Sequence, residues 1–467
     1  MSTNVVTGEN VNAVTGGSKP AKLGILEKFS YGLGDFASNL MWGIIGSFLL
    51  YFYTDVALIP VAATGTIMLV ARIFDAVIDP VIGGFVDRTH TKWGQTKPYI
   101  LFGIVPLSVM LVLTFYSPDV SNTWKIVYAL VTYLVLGLLY SIVNIPYGAL
   151  MPLMTRNTDE KSVLSSFRMG GMALGNIFVT ACTTPLVVFF GGGSERQGYL
   201  LTSVLFAVLG LILFMIVYKN CQERYVLPPS SSKQREKGEL IRTYKSAFRN
   251  GPWITTVLFA LMLFIKLGST VAITIFFCIN VLHNPAMISV LLPLMYVAVA
   301  VSSFFTPMVL KRFKHRTSNI ISLSLYSIGL VIMYFFIGNN TMLIAMWFIA
   351  NICGAITSGS VFGMTADSVD YNEWKFNKRS EGTLYAGYSF STKVGMAIGG
   401  AVVSFSLAIA GYHAAEVTPA VENSIKILFF AIPIVLSVLQ IIIVMFYKLD
   451  KLHPQIVREL EQRNANA

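Results

Sequence analysis

The sequence predicts an all-α membrane protein, with twelve transmembrane helices in two six-helix bundles. Three observations predict it. Hydrophobic residues make up 55% of the 467 and charged residues 12%, about half the charged share of a soluble domain. Apolar runs of about 20 residues, enough to cross about 30 Å of hydrocarbon, recur along the chain. A polar stretch then divides these runs into two sets of six.

In order, residues 1–24 are polar and rich in Gly, Ser and Thr, and read as a disordered cytoplasmic tail with no cleavable signal peptide. The first bundle, 25–218, holds runs at 28–53, 58–85, 98–116, 125–153, 163–189 and 198–218. The linker, 219–251, contains PPSSSKQREKGE and then LIRTYKSAFRN, which reads as a short amphipathic surface helix. The second bundle, 252–447, holds runs at 253–281, 286–310, 318–338, 341–369, 383–411 and 424–447, and 448–467 form a second cytoplasmic tail. Six helices, a linker and six more suggest two repeated halves around a central cavity. No sequence repeat between the halves is visible.

Charge orients the helices. Most of the 34 Lys and Arg residues fall on one side if both termini are cytoplasmic, and the opposite side holds only Lys125, Arg196 and Lys426. This is the positive-inside rule. The net charge of +11 is therefore a topology signal and not a nucleic-acid footprint, because the basic residues are spread over seven loops and tails. Cys182, Cys221, Cys278 and Cys353 lie in separate segments, so neither a disulfide framework nor a metal site is expected. No P-loop, nucleophile elbow or zinc motif appears, so no enzyme, cofactor or nucleotide-driven pump is expected.

Nine ionisable side chains interrupt the apolar helices: Asp35, Arg72, Asp75, Asp79, Arg168, Lys266, Asp367, Asp370 and Lys393. Each such charge costs about 2.5–3.5 kcal/mol on insertion scales unless it faces a polar cavity or a partner. Together they suggest a polar pathway. The sharpest cluster is Arg72, Asp75, Asp79 and Pro80. Asp75 and Asp79, at i and i+4, share one helix face. Two carboxylates that close repel, so one must carry a proton or a cation must sit between them. Either makes a cation switch, with H+ or Na+ as coupling ion, and Pro80 loosens the helix beside it.

The segments EKFSYGLGDFASN, VARIFDAVIDP followed by VDRTHTKWGQTKPYILFG, YSIVNIPYGAL, ADSVDYNEW and RSEGTLYAGYSFSTKVG span both halves. In them the chain resembles the glycoside–pentoside–hexuronide:cation symporters, and the resemblance covers nearly the whole chain. It implies a major facilitator fold, alternating access and a bacterial inner-membrane location. It also implies a sugar-like substrate coupled to H+, Na+ or Li+. By position, Asp75, Asp79 and Ser141 correspond to the cation site, Arg168 and Lys393 to basic cavity residues, and Tyr140 and Asn144 to cavity positions on helix 4. Melibiose carriers have Asp at the positions of Asn39 and Asn144, Trp at Gly148 and Asn at Ile78. Glucuronide carriers match better, with neutral Asn at both substrate positions.

Fewer cavity carboxylates beside Arg168, Lys393 and Lys266 suit an anionic sugar or glycoside, such as a hexuronide, glucuronide or sulfosugar. Ile78 offers no oxygen to a metal ion, which favours protons over sodium. Asn39 and Trp42, and Tyr388 with Tyr385 beside it, are further candidate sugar contacts. Asp35, Arg72, Asp367 and Asp370, with Arg88 and Arg379 as partners, are expected at a cytoplasmic gate. Alternatives are an exporter or exchanger of a small sugar-derived anion, a sodium-coupled symporter of a neutral glycoside, and a non-transporting sensor. No partner subunit is required, so a monomer in the bilayer is expected.

Overall fold

In hydrocarbon the backbone can satisfy its polar groups only internally, so the apolar runs must coil into helices. The computed structural model describes residues 23–89, 91–225, 246–377, 381–414 and 417–465. Most of the 1–24 tail, linker residues 226–245, which carry most of the expected surface helix, and Arg379 lie outside the described residues.

The first half comprises α1 (Ile25–Tyr51, prolonged by a wide turn at Phe52–Val56), α2 (Val61–Arg88), α3 (Lys97–Thr114), α4 (Asn122–Met154), α5 (Thr158–Gly191) and α6 (Glu195–Asn220). The second half begins with α7 (Gly251–Asn280) and a long stretch, Ile288–Phe335. It ends with α10 (Asn340–Phe376), α11 (Glu381–Ile409) and α12 (Pro419–Met445). A last helix, α13 (Leu449–Ala465), follows.

Among the described residues, eleven stretches are long and apolar enough to cross a membrane, and one of them, Pro285–Phe335, has 51 residues and is two spans. It breaks at Lys314, where φ is 57° and ψ 178°, so α8 precedes Lys314 and α9 follows it. The expected loop at 311–317 thus contracts to one non-helical residue. Asp450 makes this possible. Its carboxylate accepts the His315 and Arg316 backbone N–H groups at 3.3 and 2.7 Å, capping α9. The Lys314 ammonium donates to the Asp450 carbonyl at 3.1 Å.

Small residues set the tightest helix pairs, as expected where packing and polar contact hold helices together. In α5, Gly171 and Gly175 lie against Gly32 and Phe36 of α1, where any Cβ would strike backbone atoms. In α11, Gly395 and Gly399 lie in the same way against Leu261, Ile265 and Ser269 of α7. The halves therefore repeat a glycine-spaced seam between their first and fifth helices, a likeness invisible to sequence comparison.

The start of the linker is not free chain. The Glu223 carboxylate accepts the backbone N–H groups of Gln95, Thr96 and Lys97 at 2.7, 2.8 and 3.1 Å, capping α3 where the helix dipole favours an anion. Beside it Arg224 pairs with Glu27 at 2.6 Å.

Hydrogen bonds and ring contacts between the halves gather at the end opposite the basic loops. The Tyr412 hydroxyl donates to Asp55 at 2.5 Å and Ser404 to the Val61 carbonyl at 2.5 Å. Phe276 stacks edge-on against both Tyr51 and Tyr412, at 5.9 and 5.4 Å between ring centres.

The seam yields a test. Gly171→Val forces α5 away from the Gly32 carbonyl, and overpacking of this kind costs about 1–3 kcal/mol. Its Tm in detergent falls by several degrees. Gly170, with nothing within 4 Å of an added Cβ, tolerates the same change. Equal melting of the two variants would contradict the packing argument.

Candidate functional site

The polar residues of the first half form two adjoining networks. The first lies between α1, α4 and α5. Along α1, Asp35, Asn39 and Trp42 follow i, i+4, i+7 spacing, and along α4 so do Tyr140, Asn144 and Tyr147, so each set shares a face. Because glycines bring α5 against α1, the Arg168 Nε reaches Asp35 Oδ2 at 2.5 Å and Nη2 reaches Oδ1 at 3.3 Å. The Tyr147 hydroxyl lies 3.0 Å from Asp35 Oδ2. One turn along, Asn176 donates to Asn39 Oδ1 at 2.8 Å, and Ser38 to Asn144 Oδ1 at 3.4 Å.

The second network lies between α2, α4 and α11. Ser141 donates to Asp79 Oδ1 at 2.7 Å, and the Lys393 ammonium contacts Asp79 Oδ2 from the opposite half. Asp75 is 5% exposed and its Oδ1 has no hydrogen-bond partner. Arg72 stands 3.7 Å from its other oxygen, a looser pairing. Gly137 of α4 lets the two helices approach, since a Cβ there would meet Asp75 Oδ1. The Trp42 ring stacks on Tyr140 at 4.3 Å, and the Arg72 guanidinium lies 4.8 Å from its centre, which joins the networks.

A third cluster forms at the basic end of the second half. Asp367 faces His315 at 3.6 Å and His453 at 3.4 Å, and His453 also lies 3.1 Å from Asp370. Tyr447 donates to Asp367 at 3.4 Å. Here α13 folds back along α10, with Trp374 donating to Glu459 at 2.6 Å.

Several expectations need correction. Asp35 pairs with Arg168 inside the first half, not with a loop cation at a gate, because the α1–α5 seam puts the two side by side. Arg72 faces Asp75 and Trp42 in the membrane interior and so belongs to the carboxylate network rather than a gate. Asp367 and Asp370 meet histidines and Tyr447, their expected partner Arg379 lies outside the described residues, and Arg88 stands at the end of α2. Lys266 is 6% exposed and turns into the second half, 3.2 Å from Ser437 and 4.7 Å from the Tyr326 ring centre, so it is no neighbour of Arg168. The Tyr388 ring packs against Phe264 and Phe362 at 5.9 and 4.8 Å, an aromatic setting. The expected surplus of positive charge is also missing, since Arg168, Arg72 and Lys393 each stand beside a carboxylate.

Sequence reasoning missed Tyr147 and Asn176. The i+3 spacing of Tyr147 from Asn144 was a usable signal. An amide in the apolar run of α5 was a weaker one. His315 and His453 gave none, because their partner lies on a distant helix.

Two halves of six helices, with a half-buried pair of opposite charges across their junction, mark a secondary transporter of the major facilitator class, a multi-pass membrane protein and not an enzyme. The chain belongs to the glycoside–pentoside–hexuronide:cation symporter family, and the MFS/sugar transport protein family model matches residues 30–451. It is 36% identical over 447 residues to the isoprimeverose transporter of Lactiplantibacillus pentosus, covering 94% of this chain and 92% of that one. It is 32% identical over 442 residues to the glucuronide carrier protein homolog of Escherichia coli (strain K12), covering 93% and 94%. Among solved structures, a bacterial homolog of the human lysosomal transporter Spinster, inward-facing and unoccupied, shares the fold with a TM-score of 0.66 at 13% identity, over 92% of this chain and 96% of that one.

The third cluster predicts a pH dependence. The hydrogen bond to Asp370 raises the His453 pKa above its ordinary value. Burial opposes the rise, and the charges of Asp367, Asp370 and Asp450 add to it. A raised histidine stabilises fully below its unfolded value of about 6.5, and the contribution is lost as pH climbs through the higher folded value. Hydrogen-exchange protection of α13 therefore declines as pH rises above about 6.5. His453→Gln flattens that decline, and an identical decline in the variant would rule the assignment out.

Proposed function

We propose that this protein is a cation-coupled symporter of a sugar or glycoside, with protons as the coupling ion. The observation that carries the reading is the Asp79–Lys393 pair, which ties α2 of one half to α11 of the other beside the partnerless Oδ1 of Asp75. A buried carboxylate that is poorly paired is costly while ionised, and a proton on Asp75 removes that charge. Sodium requires several oxygen ligands. Here Asp79 already engages Ser141 and Lys393, and Ile78 brings no oxygen. Loading one carboxylate changes the charge that holds Lys393, so it changes how firmly the two halves are joined. That is the coupling alternating access needs.

The sugar site in this reading is the amide-rich wall of Asn39, Asn144 and Asn176 next to the Trp42–Tyr140 stack. Amides donate to and accept from hydroxyl groups, and aromatic rings present an apolar face to a sugar. With the basic loops inside the cell, both termini are cytoplasmic. The gate of Tyr412, Asp55, Phe276 and Tyr51 then closes the outer side, and Asp367 and Asp370 with their histidines anchor the inner end. Location in the bacterial inner membrane and action as a monomer belong to the same reading. A second reading, an anionic sugar, is favoured by the Arg168 side chain, which stays 28% exposed beside Asp35. Direction follows the imposed gradients, since alternating access is reversible.

Vesicle transport tests the proposal. Accumulation of a glycoside responds to an imposed proton gradient and not to a sodium gradient at clamped pH. Asp75→Asn and Asp79→Asn each reduce it to simple equilibration. Sodium-driven accumulation without a proton response would overturn proton coupling. Full accumulation by both variants would overturn the site.

A further inference from the structure

We propose that Asp35 is the specificity determinant of the sugar site: its carboxylate engages Nε and Nη2 of Arg168, neutralises the guanidinium and converts an anion receptor into a site for uncharged glycosides. This rests on the sugar-transport reading and narrows its substrate class.

Two bonds join the groups, Nε to Oδ2 at 2.5 Å and Nη2 to Oδ1 at 3.3 Å. This is the two-point geometry with which a guanidinium grips a carboxylate ligand. The Arg168 side chain is 28% exposed and that of Asp35 12%, so the carboxylate is the more buried member of the pair. The Tyr147 hydroxyl, shared between the Tyr31 carbonyl at 2.5 Å and Oδ2 at 3.0 Å, ties Asp35 to its own helix, and the Tyr147 ring lies 5.0 Å from the guanidinium carbon.

The surrounding charges offer no substitute. Arg72 faces Asp75, Lys393 faces Asp79, and Lys266 is turned into the second half. An acid sugar drawn to Arg168 meets a guanidinium whose charge Asp35 already neutralises, and displacing Asp35 would leave a buried carboxylate without its cation, the expensive outcome for a buried pair. An uncharged glycoside needs only donors and acceptors, which Asn39, Asn144 and Asn176 provide without disturbing the pair.

The test measures binding of methyl β-D-glucuronide and of its uncharged methyl ester to the purified full-length protein. The wild type prefers the ester. Asp35→Asn, which frees Arg168, shifts the acid-to-ester affinity ratio about tenfold or more toward the acid, the scale of one charge-assisted bond. Adding Arg168→Gln to Asp35→Asn cancels the shift. If Asp35→Asn does not fold, Tyr147→Phe loosens the carboxylate and moves the ratio the same way by less. Wild-type protein that binds the acid as tightly as the ester, or a ratio unchanged in the folded variants, overturns the inference and leaves the sugar reading standing. Wild-type protein that binds neither ligand overturns both.

Discussion

The structure depends on one constraint: an ionised side chain in a low-dielectric interior must be met by a partner. Asp35 and Arg168, Asp75 and Arg72, and Asp79 and Lys393 satisfy it, each pair in a different setting. The first pair sits within one bundle and is doubly bonded, with a tyrosine hydroxyl added. The second is loose and leaves one oxygen unsatisfied. The third crosses between bundles. A tight pair is a fixture, a loose one can take up a cation, and one that spans the moving parts can report that uptake. In the proposed reading, different strengths of one interaction thus separate recognition, loading and coupling.

Backbone packing makes these pairs available. Asp35 reaches Arg168, and Asn39 reaches Asn176, because Gly171 and Gly175 remove the side chains that would hold α5 away from α1. Gly137 does the same for α4 against the Asp75 carboxylate. The same spacing recurs at Gly395 and Gly399, the matching seam of the second half. There it places α11, the helix of Lys393, firmly against α7. A glycine in these helices thus acts at a distance, by deciding which polar side chains can touch.

Lys266 shows the constraint from the other side. It is buried without a carboxylate, held by the Ser437 hydroxyl and the Tyr326 ring. A ring face attracts a cation more weakly than a carboxylate does. Its position in the second half means that charge does not mirror across the two halves even though their glycine seams do. The two adjoining networks of the candidate site lie on the first half, and the second contributes Lys393 to them.

The sequence by itself determined the fold class, the positions of the spans and the inventory of buried charge. Hydrocarbon leaves a polypeptide so few options that length, apolarity and loop charge decide these locally. It also determined that Asp75 and Asp79 share a face and that Ser141 belongs with them, since helical spacing and a specific motif carry that information. Tertiary structure alone decided who pairs with whom. Arg168 and Lys266 look alike in sequence, as single cations in apolar helices, yet one meets Asp35 across a glycine seam and the other meets a hydroxyl and a ring. Asp367 awaited a loop arginine by sequence and found His453, because α13 folds back along α10. Such partners are brought together by helix rotation and approach distance, and spacing along one helix says nothing about either.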